Sequence, residues 1–512
     1  MEVSTSSTSE VWQAAGVLEP SVAHDLAARL RDTGYSYDAV AERLDTPGLD
    51  GLARNATIPA NRALAGATDP QATLIRAFAL QQDVPRTDLA AALGDLDRLT
   101  PILDAASDDT VRAAIEIRPY AFTDDHGEHS GWLASDLTPT LDGRLAAPRD
   151  DFVLGLSPAS VTLAQLTMRT PRGRALDLGA GCGIQSVHLA THTDQVVATD
   201  LNPRACAMAA LTAALNGLTV DVRQGSLYEP VAGEGFDLIV TNPPYVMAPP
   251  DASRLVYREG SFTADGLVRA VVAGAATQLN PGGALQVLGN WAITADQPWQ
   301  DRLASWVTPT GCDALVLQRE QLDPFEYIEI WLADAGLVGT PDYAKRYAEW
   351  VDYFDALGIV GVGLGWLTLY NTGNAQPELR FDDWPHQVQS GLGEAFAEFP
   401  DAARAAHLPD DQLLASTLTI DSAVTSEALG RPGAADPEHI VFRRGTGFGR
   451  AVEVDTALAG VAGACDGELP LGVLIDAVAD LLDADAAALR ADLLPRLRPL
   501  IADGFLRPVD RS

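Results

Sequence analysis

The segment from residue 175 to residue 200, ALDLGAGCGIQSVHLATHTDQVVATD, constrains the fold more than any other part of the chain. Ala175-Leu176-Asp177-Leu178 is a short apolar run that enters Gly179-Ala180-Gly181-Cys182-Gly183, and residues 184–192 carry apolar side chains at helical spacing. This order predicts strand, tight turn, helix. Glycines at alternate positions leave no Cβ where the backbone turns sharply, so a ligand can approach the main chain and the first amides of the helix. Residues 195–200, QVVATD, read as a second strand with an acid at its carboxyl end. A carboxylate at that point of an open parallel sheet is placed to accept both hydroxyls of a ribose.

The spacing G-x-G-x-G, with Asp177 two residues ahead of Gly179, resembles the first motif of class I S-adenosylmethionine-dependent methyltransferases. The resemblance implies an α/β fold with a Rossmann-like seven-stranded core and S-adenosyl-L-methionine as cofactor. It also implies a donor site drawn from Asp177, Gly179, Ala180, Gly181, Gly183, Asp200, Leu201 and Asn202. A third strand over 219–224 runs into Gly225-Ser226-Leu227, which completes that site. Members of the family often carry Asp or Asn here to bond the adenine amino group. Ser226 departs from the pattern, although its hydroxyl can also accept.

Residues 236–241, FDLIVT, form the fourth expected strand and lead directly into Asn242-Pro243-Pro244-Tyr245. Two consecutive prolines fix φ and remove backbone donors, which leaves the Asn242 side chain and the Pro243 carbonyl as acceptors. A planar amide or exocyclic amine is a poor nucleophile because its lone pair is delocalised. Two acceptors pulling on its hydrogens draw the nitrogen toward tetrahedral geometry, and Tyr245 can stack on the flat group and hold it in line with the donor. No strong general base is needed, since the proton becomes acidic only as the N–C bond forms. The tetrapeptide in this place resembles the amino-methyltransferase branch of the fold: release-factor glutamine N5-, DNA adenine N6- and ribosomal RNA guanine N2-methyltransferases. The resemblance implies catalytic roles for Asn242, Pro243 and Tyr245, with Asn242 also beside the cofactor. It covers about residues 150–370 and neither end of the chain.

The remainder of this domain reads as a helix over 267–279, a loop at Asn280-Pro281-Gly282-Gly283, and strands over 284–288, 313–318 and 359–370. Residues 324–357 form an acidic insertion with Tyr343, Tyr347, Trp350, Tyr353 and Phe354 at helical spacing, which reads as core more readily than as a substrate lid. In similar enzymes a segment at the position of 152–158 covers the methionine end of the cofactor. Residues 256–260 are read either as lining the substrate entrance or as a solvated loop.

At 512 residues the chain exceeds one hydrophobic core. The expected division is 1–150, 151–375 and 376–512, with winged-helix-like domains at both ends: short helices and a hairpin over 114–120 and 131–137, then a hairpin over 440–444 and 451–454 followed by helices. Such ends suit homodimerisation or substrate positioning. The hairpin tip Asp124-Asp125-His126-Gly127-Glu128-His129 reads as a solvated turn, and no metal is expected. Four scattered cysteines without C-x-x-C spacing, a polar first stretch MEVSTSSTSEVWQAAG and the lack of an apolar run of ~18 residues point to a soluble, cytoplasmic protein without membrane contact.

A formal net charge of −35, with Lys345 as the only lysine, opposes binding to a polyanion. A local arginine cluster, for example Arg443 and Arg444 with Arg450, could offset it, but no basic run appears. Protein or peptide acceptors therefore rank ahead of nucleic acid. The expected function is methyl transfer to a planar nitrogen, most like the glutamine amide; the alternatives are a nucleic-acid base N-methyltransferase and a regulatory protein that only senses the cofactor.

Overall fold

In the computed structural model, residues 18–124, 126–139, 141–143, 149–250, 262–386, 388, 391–431 and 437–509 are described; the polar first stretch and the 256–260 segment lie outside them. The chain divides into two compact units, residues 1–164 with 171–384, and residues 165–170 with 385–512.

The first unit is built on a sheet whose strands are β1 (Arg172–Leu178), β2 (Thr193–Asp200), β3 (Val220–Gln224), β4 (Phe236–Thr241), β5 (Leu279–Thr294), β6 (Asp313–Leu322), β7 (Ile359–Tyr370) and β8 (Leu379–Asp383). Their spatial order is β3-β2-β1-β4-β5-β7-β6-β8. All neighbours are parallel except β7, which runs antiparallel to both β5 and β6. Two of the central strands explain themselves: Ala175-Leu176 and Leu238-Ile239-Val240 are fully buried, as a parallel strand covered on both faces requires. The order of β1 to β7 is the doubly wound arrangement with its switch point between β1 and β4, where ligands bind outside the carboxyl ends of the strands.

Between the strands lie α1 (Ile184–Leu189), α2 (Pro203–Leu215), α3 (Gly266–Ala275), α4 (Trp299–Val307), α5 (Pro324–Asp334) and α6 (Tyr343–Leu357). The loop expected at 280–283 is instead a bulge inside β5. The register shifts between Leu279 and Ala284, Gly282 takes φ +79°, and Asn371 pairs across it by accepting from Gly282 N (2.7 Å) and donating to Gly283 O (2.9 Å). The sheet also has an eighth strand. Residues 379–383 pair with β6, although their polar, half-exposed sequence LRFDD reads as the start of the C-terminal region.

Residues ahead of β1 form short helices, then a three-stranded antiparallel sheet ordered Val84–Pro85, Thr110–Ala113, Leu103–Ala105. The hairpin expected to complete that module forms a two-stranded sheet of its own, joined to the N-terminal helices through Tyr35, whose Oη donates to Ile117 O (2.9 Å) and whose carbonyl accepts from Trp132 Nε1 (2.7 Å). Glu116–Asp124 and Gly127–Ser135 pair with each other alone and are fastened to α2. Asn216, at the end of α2, accepts from Trp132 N (3.0 Å) and donates to Trp132 O (2.7 Å), while Thr212 Oγ1 accepts from Ala134 N (2.9 Å). At the hairpin tip, Asp124 and His129 pair with each other (2.8 Å).

The second unit carries the helix Leu392–Ala406, a three-stranded sheet of Val424–Leu429, His439–Arg444 and Ala451–Val454, and helices Thr456–Gly463, Leu471–Leu481 and Ala486–Ala502. Asp466–Pro470 and Leu506–Pro508 flank Thr417–Ile420 in a further small sheet. Arg444 is buried and bonds Glu398 (3.1 Å) and Asp421 (3.5 Å); Arg443 pairs with Glu427 (2.9 Å) and Arg450 with Asp503 (3.8 Å).

Candidate active site

The carboxyl ends of β1, β2, β3 and β4 open into one cleft of about 330 Å³. Its floor is the glycine turn. Gly179 N and Ala180 N donate to Thr199 O at 2.8 and 3.0 Å, which ties the turn to the end of β2. Gly179 and Gly181 have φ of +77° and +56°, and a Cβ built on either would meet nothing within 4 Å. The left-handed backbone demands glycine there, and the missing side chains leave the main chain open to a ligand. Gly183 is different. At φ +81° its Cβ would stand 3.1 Å from Ala209 Cα, so it serves the packing of the turn on α2 and does not line the cleft.

Asp200 sits at the end of β2 with its carboxylate pinned. Oδ2 accepts from Gly181 N (3.0 Å) and Oδ1 from Asn202 N (2.8 Å). Burial raises its pKa, opposed by these amides. Asp177 is 1% exposed and is absent from the cleft wall; its Oδ2 accepts from Ser186 N (2.9 Å) and Ser186 Oγ (2.6 Å), bracing the start of α1. Burial pushes its pKa up to about 7.

Leu201, Asn202, Gly225, Ser226 and Leu227 form one wall. The Asn202 side chain is already engaged, capping α2 through Arg204 N (2.9 Å) and donating to Asp151 O (2.9 Å), so it shapes the wall and holds the 149–153 segment. That segment contributes Phe152, Val153, Leu154 and Gly155 to the cleft, with Val153 N donating to Asp136 Oδ2 (2.8 Å). Gly225 N donates to Asp200 O (2.9 Å), which sets Ser226 next to the end of β2.

Thr241 Oγ1 donates to Leu178 O (2.6 Å), locking the ends of β4 and β1 level and delivering Asn242, Pro243 and Pro244 into the same cleft. Asn242 Oδ1 is buried and has no hydrogen-bond partner among the described residues. Tyr245 is outside the cleft wall. Its ring meets Trp331 of α5 edge-on, centroids 6.4 Å apart, and burial together with Asp334 pushes its phenol up to about 12. Farther along the loop, Met247 N donates to Tyr327 Oη (3.1 Å), which also accepts from Asn290 Nδ2 (2.8 Å). Tyr327, Trp350 and Phe354 are buried together, so the aromatic stripe of the insertion is the core that anchors this loop.

The sequence reading missed Gln185, Thr199, Phe262, Leu267 and Val271 as cleft residues. Gln185 sits one position into α1, where a polar side chain ordinarily reads as surface. Its burial, with that of Thr199, is the signal that only three dimensions supply. Cys182 is buried in the turn, and that burial pushes its thiol up to about 11.

The methyltransferase small domain family matches residues 155–306, the stretch holding the glycine turn, Asp200 and the Asn242 loop. This segment belongs to that family. It is a class I S-adenosylmethionine-dependent methyltransferase domain, and the strand order is consistent with that fold. A second family, described only as a domain of unknown function (DUF7059), matches residues 32–114. Among curated relatives, the release factor glutamine methyltransferase of Geobacter sulfurreducens is 39% identical over 139 residues, covering 25% of this chain and 49% of that protein. The Deinococcus radiodurans protein of the same name is 37% identical over 168 residues, covering 30% and 56%. Ribosomal RNA small subunit methyltransferase C of Erwinia tasmaniensis is 31% identical over 138 residues, covering 27% and 36%. The chain thus spans about half the length, or less, of these relatives.

The cleft fits the donor that such a domain uses. It offers a glycine cradle without Cβ atoms, a fixed carboxylate for a diol, and buried acceptors with no partner among the described residues: Thr199 Oγ1, Gln185 Oε1 and Asn242 Oδ1.

Proposed function

We propose that the chain is an N-methyltransferase that moves the methyl group of S-adenosylmethionine to a planar amide nitrogen of a protein or peptide, similar to the glutamine side chain. The observation that carries this reading is Asn242 Oδ1, a buried acceptor at the end of β4 without a partner among the described residues, in the same cleft as Asp200. When bound, the donor supplies an electrophilic methyl on a sulfonium. Asp200 holds the ribose diol, and the glycine turn admits the donor's backbone-facing edge. Asn242 Oδ1 and the Pro243 carbonyl accept the hydrogens of the acceptor NH2, drawing electron density onto nitrogen as the N–C bond forms. The displaced proton leaves to solvent after transfer, so no buried base is required. Tyr245 supports the loop through Trp331; stacking on the acceptor, as its sequence position implies, requires the ring to leave that contact.

Protein outranks nucleic acid as acceptor for two reasons. The net charge is −35, and the arginines Arg443, Arg444 and Arg450 are each paired with carboxylates. The relatives named for release factor glutamine support the same class, while the relative named for ribosomal RNA keeps a guanine amino group as the competing acceptor.

The ends are inferred to be winged-helix-like and to pair two copies of the chain. In each, one short strand is followed by two helical segments and a return strand, Val84–Pro85 to Leu103–Ala105 and Asp466–Pro470 to Leu506–Pro508. We place the protein in the cytoplasm: its four cysteines are all free and buried, and no described helix is long and apolar enough to cross a membrane.

Incubating the purified chain with methyl-labelled donor and cell extract, then digesting with protease or nuclease, tests the acceptor class. Protease should release the label; release by nuclease alone would overturn the protein assignment. Asn242→Ala is expected to lower turnover by at least about 100-fold while leaving donor affinity within about twofold. Unchanged turnover would remove the role given to Asn242.

A further inference from the structure

Gln185 is the best-defined unused group in the cleft. It is 4% exposed, its Nε2 donates to Ser160 O at 2.8 Å, and its Oε1 has no partner among the described residues. The Nε2 bond fixes which way the amide is turned, so the unbonded atom is an oxygen. That atom can only accept. A buried acceptor left empty is unfavourable, and a ligand donor would recover that loss.

The sheet order indicates which part of a donor reaches it. With the ribose on Asp200 of β2 and the base beyond it toward β3, the other end of the molecule must extend over β1 and the turn that follows. Gln185 is in the first turn of α1, directly after Gly183, and lines the cleft with Ser157, Ser160 and Leu154. The amino-acid tail arriving there carries one carboxylate, which has no donor hydrogens, and one ammonium, which has three. An acceptor oxygen selects the ammonium.

We propose that Gln185 is the residue that recognises the α-ammonium of the donor's methionine tail, and so distinguishes the intact donor and its demethylated product from adenosine thioethers lacking that group. This rests on the donor assignment made above. A hydrogen bond from a charged donor to a buried neutral acceptor corresponds to about tenfold or more in affinity.

Calorimetry on the full chain tests it with three probes: S-adenosylhomocysteine, its deamino analogue, which keeps the carboxylate and loses only the ammonium, and 5′-methylthioadenosine. The wild-type chain should bind S-adenosylhomocysteine about tenfold or more tightly than the deamino analogue. In Gln185→Met that preference should vanish, with the affinity for 5′-methylthioadenosine unchanged. Equal weakening for all three probes would mean that the amide only braces Ser160, and would overturn the proposal. An absent preference in the wild-type chain would do so without any variant, which covers the case in which Gln185→Met fails to fold. Failure of the wild-type chain to bind any of the three would instead strike the donor assignment itself.

Discussion

Asp177 shows how far one residue's chemistry departs from its place in a motif. The acid two positions ahead of the first glycine reads as a ligand to the cofactor, but its carboxylate is spent on Ser186 behind the turn. Burial raises its pKa from 3.8 to about 7, so between these values the folded chain holds a proton that the unfolded chain has released. Its contribution to stability is therefore fully present below 3.8, declines as pH rises, and is gone above about 7. Chemical denaturation of wild type and Asp177→Asn across this range should show the wild-type advantage shrinking toward pH 7 and then levelling. A constant difference would mean that the carboxyl is ionised throughout. Asp200 is likewise raised by burial, but its carboxylate is held by Gly181 and Asn202 at the surface of the cleft. Motif spacing alone does not separate a bracing acid from a binding one, because both follow a buried strand.

At the level of elements, all four strands whose carboxyl ends open into the cleft were legible. β1 and β4 are buried on both faces and their ends are marked by glycine or proline, so sequence locates them and the residues that follow. β8 escaped because an edge strand needs no apolar alternation, and LRFDD has little. The role of the insertion also lay outside sequence reach. Periodicity predicts that Trp350 and Phe354 are buried, but not that α5 uses Tyr327 Oη to hold Met247 N in the acceptor loop. Tyr327→Phe leaves that amide and Asn290 Nδ2 without their acceptor, a loss of about 1–3 kcal/mol located five residues from Asn242. The expected result is a higher KM for the methyl acceptor with S-adenosylhomocysteine affinity unchanged. Equal loss of both would assign Tyr327 to global stability instead. The N-terminal hairpin was legible as a hairpin, but its bonds to Asn216 and Thr212 were not, since they span 84 and 78 residues of sequence.

For the whole molecule, the formal charge of −35 implies self-repulsion that salt should relieve. Raising ionic strength from ~0.01 M to ~0.1 M shortens the screening length from about 30 Å to about 10 Å, so Tm should rise over this interval. A flat or falling Tm would indicate that the carboxylates are balanced locally by pairs such as Arg302 with Asp265 and Arg204 with Asp136. The same charge favours encounter with cationic proteins at low salt, which gives the extract experiment its natural control in added salt.

The way α2 is covered has a practical consequence for anyone wishing to isolate the methyl-transferring portion. Eleven of its side chains, from Ala205 to Leu215, are buried, so this helix has no face made for water. The sheet shields one side, and the hairpin 116–135 with helix Pro20–Asp32 shields the other. A fragment starting near residue 151 would carry every motif and still expose a stripe of alanine, leucine and methionine where its missing neighbour had been. Such a fragment should collect in the insoluble fraction or oligomerise on a sizing column, and recovery of a monodisperse, cooperatively melting fragment would refute that expectation. The match at 32–114, whose function has no description, contributes residues from Tyr35 to Ala113 to the same hydrophobic core as α2, so removing it would cut into that core as well.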